Sequence, residues 1–178
     1  WKRKHDTFFK IHNLTIIGLS SWMKNCAKKS SLLKDSKIIE IPNTIDTNIF
    51  KPHDINIARN LWNLPTDKKL ILFGAGSATS DPRKGFKELS EALIKLKVKN
   101  TEFVVFGSNG QNTTRDLGLK THYLGQIRSE EDLASLYSAA HVMIVPSLQE
   151  NLSNVILESL SCGTPVVGFN IGGNSDMI

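Results

Sequence analysis

The chain has 178 residues, 40% of them apolar, with two cysteines and a formal net charge of +5, which is length for one good core or one and a half small domains. No apolar run approaches the length that crosses a bilayer. The positive excess is uneven, with 13 Lys/Arg against 6 Asp/Glu in residues 1–69 and 9 against 11 in residues 70–178, so a basic face, if it has a partner, belongs to the first third.

Residues 1–13 (WKRKHDTFFKIHN) are charged but are followed by no apolar h-region or cleavage site. A secretory signal is therefore not expected, and the chain reads as cytoplasmic. It does not open on Met and reads as a fragment. The basic segment admits either a solvated surface or a peripheral contact with the inner, anionic face of a membrane. Basic and aromatic residues are not interleaved as on a nucleic-acid platform, so no nucleic-acid partner is expected.

Residues 14–20 (LTIIGLS) read as a short buried strand. Residues 20–30 (SSWMKNCAKKS) follow as a helix, with Ser20 or Ser21 as N-cap and Lys28 and Lys29 in the last turn. Residues 37–42 (KIIEIP) form another strand, stopped by Pro42. The turn-rich residues 43–54 read as a linker. Residues 55–64 fit a short helix ending before Pro65. Thereafter strands at 70–75, 102–107, 121–125, 141–146 and 165–169 alternate with helical patterns at 84–97, 113–119, 130–140 and 153–162. The strands are continuous apolar runs, as a parallel sheet covered on both faces requires. The alternation predicts a doubly wound, Rossmann-like α/β domain. Residues 172–178 (GGNSDMI) read as a turn and the start of a helix, and the C-terminus is expected to be truncated too. Cys26 and Cys162 have no ligand-type partner at close spacing and read as two reduced core thiols.

In an open parallel sheet, ligands bind beyond the carboxyl ends of the strands. Here every such end carries glycine or polar residues. The first offers Gly74 and Gly76, leading to Arg83, Lys84 and Gly85. The second offers Gly107, Ser108, Asn109 and Gly110, and the third Gly125, Gln126, Ile127 and Arg128. The fourth runs from Pro146 to Asn151, and the fifth holds Gly168, Gly172 and Gly173. Gly74-x-Gly76 is not a dinucleotide fingerprint. Thr79 stands where the third glycine belongs, Ser80-Asp81-Pro82 delays the helix, and no acidic ribose ligand follows Phe106. No nicotinamide or flavin cofactor is expected, and the Gly-Lys-Ser/Thr of a phosphate-binding P-loop is absent. Arg83 and Lys84 at a helix start fit a phosphate grip, or else a solvated basic pair.

Glu150 and Glu158 stand eight apart, the first before a helix and the second inside it. Helical side chains lean toward the N-terminus, so both can face one crevice. The amides of Asn151, Leu152, Ser153 and Asn154 would face a phosphate there, and a carboxylate is a natural acceptor for two ribose hydroxyls. Spacing alone favours two surface glutamates. The apolar neighbours Ile156, Leu157 and Leu160 argue for a purpose, because an unpaired carboxylate among them is costly.

At these residues the chain resembles the retaining glycosyltransferases of family 4, the glycosyl transferases group 1 superfamily with the two-domain GT-B fold. GLSSWMKNCAKKSSLL is similar to the Ser-x-Trp segment that closes the family's N-terminal domain, and IIEIPNTIDTNIFKP to its interdomain signature. FGAG followed by DPRKGF resembles the Gly-x…Lys-Gly loop, and residues 123–173 resemble the E-x7-E block and its approach. The resemblance implies transfer of a sugar from a nucleotide diphosphate sugar to a glycan or lipid-linked acceptor, with retained anomeric configuration and without a metal. It implies Lys84 on the diphosphate and Glu158 on the ribose. Glu150 is implied as the catalytic carboxylate beside the reacting carbon, with the amides of Asn151–Asn154 on sugar and phosphates. Backbone at Gln126, Ile127 and Arg128 would meet the base; Gly74, Gly76 and Gly107 would give a diphosphate clearance, and Arg83 would assist Lys84.

On this resemblance residues 1–46 are the last elements of an acceptor domain plus linker, and 47–178 a donor-binding domain. The isolated fragment is expected to bind nucleotide weakly without turnover. Three departures stand out: Thr79 where the family often has Arg, Asn43-Thr44 for Asn-Gly, and Asn151 for the glycine after the first glutamate. The Gln-Glu-Asn-Leu block resembles enzymes building bacterial surface polysaccharides. A GT-B nucleotide-sugar epimerase and a non-catalytic nucleotide-sugar-binding protein are the rival readings.

Overall fold

Apolar runs bounded by polar turns become two parallel sheets in the computed structural model, which describes residues 1–8, 10–76, 78–108 and 116–178. The first sheet pairs β1 (Thr15–Gly18) with β2 (Lys37–Glu40), joined through helix α2 (Ser21–Lys29). Ser20 caps α2 by accepting from the Met23 amide at 3.1 Å, and Lys28 and Lys29 sit in its last turn, where cations suit the dipole. A basic helix, α1 (Lys2–Phe8), precedes them; the sequence reading missed it, and it buries none of its residues.

The second sheet has five parallel strands, β3 (Lys69–Gly74), β4 (Thr101–Phe106), β5 (Thr121–Tyr123), β6 (Val142–Val145) and β7 (Val166–Gly168). Their order is β5-β4-β3-β6-β7. Helices α3 (Ile55–Leu61), α4 (Phe86–Lys95), α5 (Glu130–Ala139) and α6 (Asn154–Ser161) cover its faces. Alternate residues of a strand face opposite sides. Thus Leu70 and Leu72 enter one core with Val104, Met143, Tyr137 and Ile156, while Phe73 enters the other with Phe103, Leu89 and Leu93. This is the doubly wound sheet expected from the alternating pattern. From β3 the chain steps to β4 on one side and later returns to β6 on the other. The order therefore reverses between β3 and β6, the place where such sheets bind ligands.

Four local expectations need correction. Helix α4 starts at Phe86 rather than at residue 84, because Pro82–Lys84 form a 3-10 turn closed by Gly85 at φ 70°. Of the helix expected over 113–119, residues 113–115 lie outside the described residues, and 116–119 are not helical. There Gly118 has φ 72° and its amide donates to Asp116. Cys26 is exposed rather than in the core, whereas Cys162 is buried, and its thiol is pushed up to about 11 by that burial. The tail forms only a 3-10 turn, Asn174–Asp176. No helix among the described residues is long and apolar enough to cross a membrane.

The end of the sheet opposite the glycine loops is closed by buried charges. Arg59, 3% exposed, donates to the carbonyls of Ala139, Thr66 and Lys68 at 2.9–3.1 Å and to His141 Nδ1 at 2.9 Å. The Leu70 amide donates to the same nitrogen. His141 is thereby fixed as an acceptor, its pKa lowered by burial and then by the Arg59 charge. Nearby in sequence to that edge, buried Glu102 accepts from His122 Nε2 at 2.6 Å and pairs with Lys120 at 3.4 Å. Burial raises its pKa, but the His122 hydrogen bond and the Lys120 charge more than reverse this, and the net value lies below the usual one. A depressed carboxylate pKa gives stability that is present above the unfolded value and lost as pH falls through the folded one. Urea titrations of wild type and Glu102→Gln across the acid range are expected to converge as pH drops below about 4, with wild type the more stable near neutrality. Equal stability of the two near pH 7 contradicts this.

Candidate functional site

At the exit of β3 the backbone runs tight against β4, and a Cβ on Gly74 would lie 2.3 Å from the Phe106 ring. The chain then folds into a loop whose Ala78 is fully buried in the Phe73 core. Thr79 and Ser108 hydroxyls meet at 2.7 Å. Asp81 accepts from the Arg83 amide at 2.9 Å and starts the 3-10 turn, with Pro82 leading it. These contacts hold Ala78, Thr79, Asp81 and Pro82 in place, in a stretch that the sequence marks only by its departures from motifs. Gly85 ends the turn against the β6 exit loop: a Cβ there would lie 1.8 Å from the Pro146 carbonyl oxygen. The Leu148 amide donates to the Arg83 carbonyl at 2.8 Å, so the two loops share backbone contacts.

That apposition delivers the central pair. Lys84 Nζ lies 2.8 Å from Glu150 Oε2, with side chains 30% and 15% exposed. Ser147 Oγ stands 3.5 Å from the same oxygen, and the Asn151 amide donates to Glu150 Oε1 at 3.3 Å. Gly74, Lys84, Pro146 and Ser153 line one small cavity between β3 and β6. Arg83 does not join this pair. Its guanidinium turns back to Asp81, at 2.8 and 3.1 Å, and holds that carboxyl at about 2.

A second cluster forms on α6. Ser153 occupies its N-cap without a side-chain hydrogen bond, so the cap serine leaves the first amides to other partners. Leu152 and Ser153 are buried and Asn154 is exposed. Glu158 accepts from the Tyr137 hydroxyl at 2.7 Å. Its pKa is raised, first by burial and also by Glu130, against the lowering effect of Tyr137. Glu158 lines a cleft of about 160 Å³ with Glu130, Asn154, Thr44, Ile45 and Asp46. Asn43 Nδ2 donates to Asn154 Oδ1 at 2.8 Å. The Asn43–Asp46 segment and the second glutamate, far apart in sequence, thus face one space.

Two further groups of contacts frame these clusters. Gln126 Nε2 donates to the carbonyls of Gly76 and Gly107, at 3.0 and 2.9 Å, while Ile127 packs on the core. Ser20 Oγ donates to Asn151 Oδ1 at 3.2 Å, and the Gly173 amide to the Asn151 carbonyl at 2.8 Å. Asp176 accepts from the amide and hydroxyl of Ser21, both at 2.6 Å.

The structure therefore brings Lys84 and Glu150 into contact, sets Glu158 and Asn154 in one cleft, and ties Gly76 and Gly107 through Gln126. Arg83 stands apart from all of them. Sequence reasoning missed Tyr137, Asp176, the contact of Ser20 with Asn151 and the side-chain contacts of Gln126. Only Tyr137 carried a signal, since a tyrosine inside an apolar helical stretch needs a partner for its hydroxyl. Chemically, the arrangement offers a cation beside a helix N-terminus, suited to phosphate, and a half-buried carboxylate suited to hydroxyl groups. Among the described residues no group of three or more His, Cys, Asp or Glu is placed to hold a metal ion.

Residues 68–178 match the family model described as glycosyl transferases group 1. The D-inositol 3-phosphate glycosyltransferase of Acidothermus cellulolyticus is 32% identical over 151 residues, covering 77% of this chain and 34% of that protein. The chain thus spans about a third of that relative's length. Among solved structures, sucrose-phosphate synthase of Thermosynechococcus elongatus superposes with a TM-score of 0.75 at 27% identity, over 97% of this chain and 45% of that one. Anabaena HepE in complex with UDP-glucose superposes with a TM-score of 0.74 at 22% identity, over 98% and 49%.

Proposed function

This chain belongs to the glycosyl transferases group 1 family, and on that premise we propose that it binds the nucleotide diphosphate sugar in a retaining, metal-independent glycosyltransferase. The observation that carries the reading is the Lys84–Glu150 pair at 2.8 Å, set where the strand order reverses. Sugar transfer breaks the bond between the anomeric carbon and the β-phosphate oxygen while the acceptor hydroxyl oxygen bonds to that carbon and yields its proton to the departing diphosphate, on which negative charge gathers. Lys84 and the α6 amides supply preorganised positive charge for that group. Glu150, freed from Lys84 when the diphosphate takes the ammonium, faces the sugar at the reacting carbon. Glu158 accepts the ribose hydroxyls, held in place by Tyr137.

The neighbour HepE was solved with UDP-glucose, which supports a nucleotide sugar as the ligand class. A glycan or lipid-linked acceptor, a role in surface polysaccharide synthesis and a place at the cytoplasmic face of a membrane complete the reading. The exposed, basic α1 suits that last location.

The test is titration of the chain with UDP, GDP and ADP, followed by NMR. Amide shifts around Lys84 and Glu158 with at least one nucleotide are expected, and none with any of the three rejects the reading. A Glu158→Ala variant is expected to bind that nucleotide about tenfold more weakly and to lose most of its preference over the 2′,3′-dideoxy analogue. An unchanged preference removes Glu158 from the ribose.

A further inference from the structure

We infer that Gln126 is a positioning residue of the nucleotide site, acting through its side-chain amide rather than through base contact alone. The inference rests on the proposed donor site. The β3–β4 pairing register runs only as far as Gly74 opposite Phe106. Past that point the two chains still approach closely, because Gly107, at φ 78°, would place a Cβ 1.6 Å from the Ala75 carbonyl oxygen. Backbones that close admit no side chain between them, so something outside must fasten them. The Gln126 nitrogen does so, donating to Gly76 O at 3.0 Å and Gly107 O at 2.9 Å. Both partners are carbonyl oxygens, so the group facing them is the NH₂ end of the amide. The Thr79–Ser108 contact at 2.7 Å spans the same two loops, and the Gly107 amide donates back to Gly125 O at 2.7 Å. Three strand exits are thereby joined into one rim.

The electrostatic consequence is specific. Gly76 and Gly107 are the glycines beside the proposed diphosphate. Their carbonyl oxygens, left free, would repel an anion. One amide occupies both and so makes the rim more acceptable to phosphate. Gln126 is itself exposed, so its loss opens no core.

The experiment compares wild type with Gln126→Met, which removes the donors at similar size, and Gln126→Glu, which turns acceptors toward acceptors. In the ligand-free protein, hydrogen exchange in peptides spanning 74–76 and 106–108 is expected to rise severalfold in both variants. The UDP-to-uridine affinity ratio is expected to fall about fivefold in Gln126→Met and further in Gln126→Glu, while Tm moves little. Unchanged exchange in both variants overturns the inference, and so does an equal loss of UDP and uridine affinity, the sign of a merely structural defect. The exchange measurement needs no ligand. A wild type that binds no nucleotide therefore rejects the donor-site reading while the clamp is still decided by exchange.

Discussion

Lys84→Met is expected to weaken binding of the preferred nucleotide diphosphate about 30- to 150-fold, with only a small change in Tm. The side chain is 30% exposed and its ammonium is bonded to Glu150 at 2.8 Å, so it is part of a site rather than of the core. A hydrogen bond to a charged group is worth about 1.5–3 kcal/mol, or roughly 10- to 150-fold in affinity. The variant also leaves the Glu150 carboxylate without its partner, facing an incoming anion, which puts the effect in the upper part of that range. Lys84→Arg should lie between, because a planar fork keeps the charge but not the point geometry. Calorimetric titration with UDP, GDP and ADP checks the series. Adding Glu150→Gln to Lys84→Met should recover part of the affinity by removing the repulsion, and the non-additivity measures the coupling. Wild-type affinity in Lys84→Met excludes the lysine from the phosphates.

A large loss of stability, about 3 kcal/mol or more, is expected in Gly85→Ala. The residue sits at φ 70°, a left-handed conformation that costs an alanine roughly 1–2 kcal/mol. Its Cβ would also lie 1.8 Å from the Pro146 carbonyl oxygen. The atom in the way is backbone, so a loop must move, and the loop that moves carries either Lys84 or Glu150. Gly76→Ala is the control: its Cβ would meet nothing within 4 Å, and its stability should be unchanged. Urea unfolding separates the two. If Gly85→Ala unfolds at the wild-type midpoint, the two loops do not bear on each other as described. A Gly76→Ala variant that also binds nucleotide normally removes that glycine from the diphosphate clearance.

The five strands were legible because their apolar runs have to be covered on both faces, and Leu72 and Phe73 show the consequence by entering opposite cores. The pairing of Lys84 with Glu150 was legible only as coincidence on one sheet edge. Nothing in local spacing brings residues 66 apart together; the strand reversal between β3 and β6 does. Arg83 turns to Asp81 for a local reason. Asp81, two residues earlier, offers a carboxylate within hydrogen-bond reach, and short-range pairs of this kind are invisible to a motif that scores only basic charge. The side-chain contacts of Gln126 were not legible in the sequence, because its partners are carbonyls fixed by the fold. Cys26 lies on a helix whose buried residue is the neighbouring Ala27, a difference of one position that helical periodicity resolves poorly in nine residues.

The two hydrogen bonds between Ser21 and Asp176 join points 155 residues apart in the chain. Closing a loop of that length by itself carries an entropic cost of roughly 4 kcal/mol, more than two partly exposed hydrogen bonds return. The contact can therefore form only after the intervening sheet has folded and already holds its ends near one another. It belongs to the later steps of assembly. The attachment of α2 to the loop before Asp176 thus depends on the folded sheet, and the Asn151 backbone, which bonds to that same loop, carries that dependence to the site.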